Sequence, residues 1–127
     1  MEAISTSDAP QSSAPFSQAI RDGETVYVSG QGAIDADSGQ IVGDDIREET
    51  TKTLENIDAI LRAAGGSLDD VVKATVFLQD MRDYDAVNEV YGSYMSPPFP
   101  ARSAVQVADL PVDIGVEIEV IASIPDS

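Results

Sequence analysis

Apolar positions along the chain follow two spacings, which predict strands and helices in turn. Alternating or continuous apolar residues predict strands at residues 16–20, 25–29, 70–78, 102–108 and 116–122. Three- and four-residue spacing predicts amphipathic helices at residues 44–64 and 83–95. The predicted order is therefore β-β-α-β-α-β-β. Residues 1–15 form either a loose tail or a short edge strand before it.

Local signals support the first helix and define the fold class. Asp44 or Asp45 can cap its first turn, and Gly65-Gly66 supplies the left-handed stop that ends many helices. The elements together predict an α+β fold in which two helices pack on one face of a single mixed sheet. We expect residues 1–127 to form one domain.

The strand at residues 70–78 is nearly apolar on both faces. One face carries Val72, Ala74, Val76 and Leu78. The other carries Val71, Thr75 and Phe77, with Lys73 among them. Strands of this kind are covered on both sides. We therefore expect the helices to cover one face and another subunit to cover the other.

The residue inventory excludes several kinds of chemistry. The chain has no cysteine and no histidine, so disulfides, thiolate nucleophiles, Ser-His-Asp triads and zinc sites are not expected. A carboxylate site for magnesium or calcium stays open by inventory, but no Asp-rich loop has the spacing of an EF-hand, and we predict no metal site. Any catalysis must use carboxylates, hydroxyls, amides, arginine, the backbone or water.

The net charge of −16 limits the partners and the setting of the protein. Such a charge repels phosphate backbones, so nucleic-acid binding is not expected. It is typical of a protein from a high-salt source, where ions screen the self-repulsion. The alternative is an unusually acidic protein from an ordinary cytoplasm. No apolar stretch is long enough to span a membrane, and the first residues lack the features of a secretion signal. We therefore expect a cytoplasmic protein.

Arg102 is the first candidate for chemistry. It is the one cation between residues 83 and 127, a region rich in carboxylates, and it follows the prolines at positions 97, 98 and 100. Those prolines favour an extended approach to the strand that Arg102 begins. The guanidinium can neutralise a neighbouring carboxylate, or it can bind the carboxylate of a small anionic ligand. The residues alone leave both readings open.

Two further groups are candidates. Glu117 and Glu119 point to the same side of the last strand, which we expect to lie beside the strand of Arg102. Small residues in the run Ser29-Gly30-Gln31-Gly32 would let a ligand approach backbone amides. Each group also has an ordinary interpretation, as a solvated strand face or as a turn. With Arg102, they suit the addition of water to a small, charged, unsaturated carbon centre.

Several segments resemble, in order and in register, the RidA/YjgF family of reactive-intermediate (enamine/imine) deaminases. They are residues 28–31, 56–61, 70–77, 87–91, 100–111 and 116–122. The resemblance covers residues 4–123 without large gaps. It implies a chorismate-mutase-like fold and a homotrimer with clefts between subunits.

The resemblance also implies an activity and a set of roles. The family hydrolyses imines derived from enamines such as 2-aminoacrylate to 2-keto acids and ammonia, without a cofactor. By position, Arg102 would bind the substrate carboxylate, and Glu117 would orient or deprotonate the attacking water. Ser29 and Asn88 would line the cleft. Phe16 would line it too, in place of the tyrosine that is common in the family.

Two departures from the family pattern affect the predicted site. Phe16 lacks the phenolic hydroxyl, and Ala104 stands where a cysteine often follows Arg-Ser. One alternative is a non-catalytic trimer of the same fold that binds small carboxylic acids. Another is a ribonuclease, which the negative charge and the absence of histidine disfavour.

Overall fold

A computed structural model describes residues 1–125, which form a six-stranded sheet and two α-helices. The strands are β1 (Glu2–Ile4), β2 (Ala19–Asp22), β3 (Thr25–Gln31), β4 (Val71–Leu78), β5 (Ala101–Gln106) and β6 (Val116–Ser123). The helices are α1 (Ile46–Ala63) and α2 (Tyr84–Tyr94). Short 3-10 turns precede β4 and α2, at Leu68–Asp70 and Met81–Asp83.

The helix α1 begins and ends where its sequence signals lie. The Asp45 carboxylate accepts a hydrogen bond from the backbone N–H of Glu48 at 2.9 Å, which satisfies a free amide of the first turn. Gly65, just after the helix, has φ of 91°, a conformation that side-chain-bearing residues rarely adopt. The apolar stripe of α1 is buried against the sheet, as its spacing predicts.

The sheet has the order β1-β2-β3-β6-β4-β5. Only the pair β4 and β5 is parallel among the described strands, so the sheet is mixed. Both helices pack on one of its faces, which confirms the predicted fold class. The N-terminal strand β1 extends the predicted order to β-β-β-α-β-α-β-β. It pairs with β2, which begins at Ala19 and not at Phe16.

One predicted core position on β4 is wrong. Val72 is 51% exposed, whereas Val71 is 7% exposed and joins Ala74 and Val76 in the core. The register between β4 and β6 shifts between Val71 and Lys73, so the strict alternation of faces is interrupted there. A bulge depends on the partner strand, and for this reason alternation within one segment does not reveal it.

The face of the sheet opposite the helices is open within one chain. Tyr27 and Val105 lie on it and are 48% and 44% exposed. Phe77 and Ile121 on the same face are half-buried. The predicted second cover of β4 is therefore not supplied by residues 1–125, and its supply by another subunit stays a prediction. No helix in these residues is long and apolar enough to cross a membrane.

Candidate active site on two faces of the sheet

A cleft of about 670 Å³ contains three of the residues to which the family resemblance assigns roles, together with Glu119 and the run from Ser29 to Gly32. Phe16, Ser29 and Glu117 all line it. Phe16 is 56% exposed, so its ring forms part of an open wall. The Ser29 hydroxyl donates to the carbonyl oxygen of Ser17 at 2.6 Å. This bond joins β3 to the segment that carries Phe16.

The Glu117 carboxylate lies against the backbone of β3 at Gly30. A β-carbon at Gly30 would overlap this carboxylate, since it would lie 2.9 Å from Glu117 Cδ. Gly30 lies in the stretch between Val28 and Gln31 where the register between β3 and β6 shifts. Burial raises the pKa of Glu117, and repulsion from Glu119 raises it further.

Two buried amide side chains fix the walls of the cleft. The Asn56 side chain, 1% exposed on α1, donates to the carbonyl oxygens of Gly32 and Ile34 at 3.0 and 2.9 Å. Gln18 donates to the carbonyl oxygens of Ala9 and Pro10 at 3.2 and 2.8 Å. The two side chains hold the loop after β3 and the segment before β2, and residues of these two segments line the cleft.

Sequence reasoning did not assign a role to either amide. The sequence position of Asn56 could have indicated its role, because an amide inside the apolar stripe of a helix needs hydrogen-bond partners when it is buried. Its neighbours on that stripe, Thr53, Leu54 and Ile57, are fully buried. A polar residue among them therefore indicates a bond to a neighbouring segment, although not which segment.

Arg102 lies on the other face of the sheet. Its partner in register on β4 is Ala74, which faces the helices. Its Nη2 donates to the Tyr84 hydroxyl at 3.1 Å. Its guanidinium carbon lies 4.9 Å from the centroid of the Tyr91 ring and 5.6 Å from that of Tyr84. Both rings belong to α2, so this helix and the edge strand β5 form a second cluster.

Arg102 does not neutralise a carboxylate in the described part of the chain, which was one of its two predicted roles. The ion pairs there join Arg47 to Glu89, Arg62 to Asp58 and Arg82 to Asp80. Arg102 has no carboxylate within 4.0 Å among residues 1–125. Its positive charge is therefore available to an anion from outside the chain.

Asn88 belongs to the same side of α2 as Tyr84 and Tyr91, one helical turn from each. The side chain is half-buried, and its Oδ1 atom has no hydrogen-bond partner within residues 1–125. The Tyr91 hydroxyl is also buried without a partner there. Most buried polar atoms are hydrogen-bonded in folded proteins, so this cluster is unusual.

The expectation that Glu117 lies on a strand beside that of Arg102 is wrong, because β4 separates β6 from β5. In register, Arg102 aligns with Ala74 and Glu117 with Phe77. Arg102 and Glu117 are therefore separated by about 10 Å along the strand direction, which is three residues, and by about 10 Å perpendicular to it, which is two strand spacings. The two side chains also point to opposite faces. One chain therefore brings Phe16, Ser29 and Glu117 together, and places Arg102 and Asn88 elsewhere.

Comparisons with known proteins show the family. The family described as endoribonuclease L-PSP matches residues 6–124. A RutC family protein of Pyrococcus horikoshii is 50% identical over 121 residues, which cover 95% of this chain and 96% of that protein. The 2-iminobutanoate/2-iminopropanoate deaminase of Mus musculus is 48% identical over 119 residues, covering 94% and 88%.

A solved structure agrees with these matches. The crystal structure of RidA from the Antarctic bacterium Psychrobacter has a TM-score of 0.94 at 44% identity, and the match covers 98% of this chain and 100% of that one. The chain belongs to the RidA/YjgF family, as its sequence segments predict.

Proposed function

We propose that the protein is a cofactor-independent imine deaminase. Its substrates would be 2-iminopropanoate, derived from 2-aminoacrylate, and 2-iminobutanoate, and its products 2-keto acids and ammonia. The observation that carries the proposal is the half-buried Glu117 carboxylate in an open cleft, with a raised pKa. A base of this kind suits water activation better than an ordinary glutamate, because its pKa lies nearer to neutral pH. The names of the mammalian relatives support the same reaction.

The proposed site is completed by a homotrimer. Arg102 and Asn88 of one subunit would face Phe16, Ser29 and Glu117 of the next, in clefts between subunits. Two observations support this arrangement: Arg102 and Glu117 point to opposite faces of one sheet, and the face opposite the helices exposes Tyr27 and Val105. Closed rings form when different patches of identical subunits meet head to tail.

In the proposed mechanism, the Arg102 guanidinium binds the substrate carboxylate through two parallel hydrogen bonds. The ionised Glu117 carboxylate takes a proton from a water molecule as the oxygen bonds to C2 of the protonated imine. The resulting carbinolamine receives the proton on nitrogen from Glu117. The Glu117 carboxylate then accepts the hydroxyl proton as the C2–N bond breaks. The 2-keto acid is released, and ammonia takes the proton from Glu117 and leaves as ammonium. Ser29 and Asn88 position substrate and water.

The two departures from the family pattern fit this mechanism. The mechanism gives no proton-transfer step to a phenol, so Phe16 serves as an apolar wall beside the substrate side chain. Ala104 lies two residues after Arg102 on the same strand face and packs against the core. It leaves the carboxylate-binding guanidinium in place.

The test generates 2-aminoacrylate with a pyridoxal-phosphate dehydratase in molar salt, chosen because of the charge of −16, and follows keto-acid formation. The wild-type protein should accelerate the reaction, and Arg102→Ala or Glu117→Gln should each reduce the acceleration by about 100-fold or more. Binding of 2-keto acids without any acceleration would favour the alternative of a non-catalytic carboxylate-binding trimer. A fully active Arg102→Ala variant would contradict the proposal.

Mixing the two inactive variants tests the site between subunits. After denaturation and refolding together at equal amounts, random assembly would pair an intact Arg102 with an intact Glu117 in about one quarter of the clefts. We therefore expect about one quarter of the wild-type activity to return. If both residues served a site within one chain, no activity would return. Each variant refolded alone is the control.

The family description names an endoribonuclease, and this activity is the weaker candidate. A charge of −16 opposes contact with an RNA backbone, and no histidine is present for acid-base cleavage. Incubation of the protein with single-stranded RNA in the same salt should leave the RNA intact.

A further inference from the structure

Arg102 is held by aromatic residues in a protein dominated by carboxylates. Within residues 1–125, its guanidinium donates a hydrogen bond to the Tyr84 hydroxyl, at 3.1 Å from Nη2, and makes cation–π contacts with the Tyr84 and Tyr91 rings. An aromatic face attracts a cation through its quadrupole but carries no net charge. The guanidinium is therefore fixed in place without being neutralised.

The two tyrosines contribute in different ways. Tyr91 is 5% exposed, so packing fixes its ring as a platform under the guanidinium. Tyr84 is 37% exposed and reaches the guanidinium edge with its hydroxyl. They lie about two helical turns apart on α2, so one rigid helix presents both.

The guanidinium keeps most of its hydrogen-bonding capacity. Of its five N–H donors, one has an acceptor within the described part of the chain, the Tyr84 oxygen. A planar guanidinium whose position is fixed and whose other donors are free can bind a carboxylate through two parallel bonds. Less rotamer freedom is then lost when the ligand binds.

We propose that Tyr84 and Tyr91 are positioning residues for Arg102 and that they hold its guanidinium in the orientation that binds a carboxylate ligand. This inference rests on the proposed role of Arg102 and goes beyond it by assigning roles to two residues of α2. The tyrosines act through the arginine and do not touch the reacting atoms.

The test measures the affinity for 2-oxobutanoate, a product-type carboxylate that the enzyme does not consume, by calorimetric titration of the full chain. Tyr84→Phe removes the hydroxyl and keeps the ring, so we expect the affinity to fall about fivefold. Tyr91→Leu removes the platform, and we expect a fall of about tenfold. Tyr91→Phe keeps the ring face and should bind like the wild type. Tyr94→Phe, which removes a hydroxyl from the same helix, is the matched control.

The effect of Tyr84→Phe on affinity is also measured in the Arg102→Lys variant. This comparison separates positioning of the guanidinium from a general structural effect of the substitution. Lysine keeps the charge, so binding stays measurable, but it lacks the planar guanidinium. Tyr84→Phe should change the affinity of Arg102→Lys by less than about twofold. An equal loss in both backgrounds would overturn the inference, since the tyrosine would then act independently of the arginine.

A spectroscopic measurement follows Arg102 directly. The Arg102 Nε–H resonance should be shifted by the ring current of Tyr91, should move in Tyr91→Leu and should stay in place in Tyr91→Phe. If Tyr91→Leu does not fold, Tyr84→Phe still decides the matter, because Tyr84 lies at the surface. Wild-type protein that binds no 2-oxobutanoate would contradict the proposed function itself. Wild-type affinity in Tyr84→Phe would contradict only the positioning role.

Discussion

The cleft of Glu117 and the cluster around Arg102 differ in how the chain fixes them. Around Glu117, the walls are fixed by hydrogen bonds from Asn56 and Gln18 to backbone carbonyl groups. Around Arg102, two aromatic rings and one hydrogen bond hold the functional group. The first arrangement shapes the cleft in which burial and the charge of Glu119 raise the pKa of Glu117, and the second leaves a charge available. Damage to the first should therefore appear in the rate of the chemical step, and damage to the second in affinity.

Among three substitutions that leave Arg102 and Glu117 in place, Gly30→Ala should have the largest effect, and this effect should be on the rate. The new methyl group would overlap the Glu117 carboxylate and displace it. A displacement of about 1 Å can lower a rate about 100-fold, so we expect kcat to fall between about 10-fold and 100-fold with little change in KM. Steady-state kinetics with a generated imine measure both. Gly92→Ala is the control, because an added β-carbon at Gly92 meets no heavy atom within 4 Å. Unchanged kcat in Gly30→Ala would contradict the role of the cleft.

Glu119→Gln should have a smaller effect, on pH dependence. Repulsion from Glu119 contributes to the raised pKa of Glu117. Because the neighbouring negative charge opposes ionisation, its removal should lower the pKa of Glu117. The ionised base would then persist to lower pH, and the acid limb of the kcat profile should move to lower pH. The control is Glu55→Gln on an exposed position of α1. An acid limb that stays in place would show that Glu117 is not the titrating group.

Tyr91→Phe should have the smallest effect, on stability. Its hydroxyl is buried without a partner in the described residues, and an unsatisfied buried group costs free energy. Removing it should raise the free energy of unfolding by about 1 kcal/mol, measured by urea denaturation. Tyr94→Phe, at a half-buried position of the same helix, should change it by less. A lower free energy of unfolding in Tyr91→Phe would indicate that the hydroxyl has a partner in the assembled protein.

Local signals predicted the helices and most strands, because caps and spacing act within a few residues. Asp45 and Gly65 bound α1 as expected. The sheet order could not be predicted in the same way, since strand pairing joins distant segments. β6 enters between β3 and β4, and this insertion places β5 at the edge. The exposed Val72 follows from a register shift that involves β6.

In the site, too, local sequence signals were predictable, whereas features that depend on the pairing of distant segments were not. Spacing and family resemblance made Phe16, Ser29, Asn88, Arg102 and Glu117 the candidate site residues. Their division between two faces depends on the sheet order and could not be read from any segment. Tyr84 and Tyr91 lie in the amphipathic helix predicted at residues 83–95, and spacing alone would assign such apolar residues to the core. Their contact with Arg102 depends on how α2 lies over β5.

The edge position of β5 has a consequence for the newly made chain. Among residues 1–125, no strand pairs with the outer side of β5, and an open strand edge can pair with a foreign strand and begin aggregation. The strand is six residues long and carries the charge of Arg102, with Pro100 directly before it. Short length, a charged side chain and a flanking proline each disfavour such pairing. The strand that carries the proposed ligand-binding group is thus also protected against uncontrolled self-association.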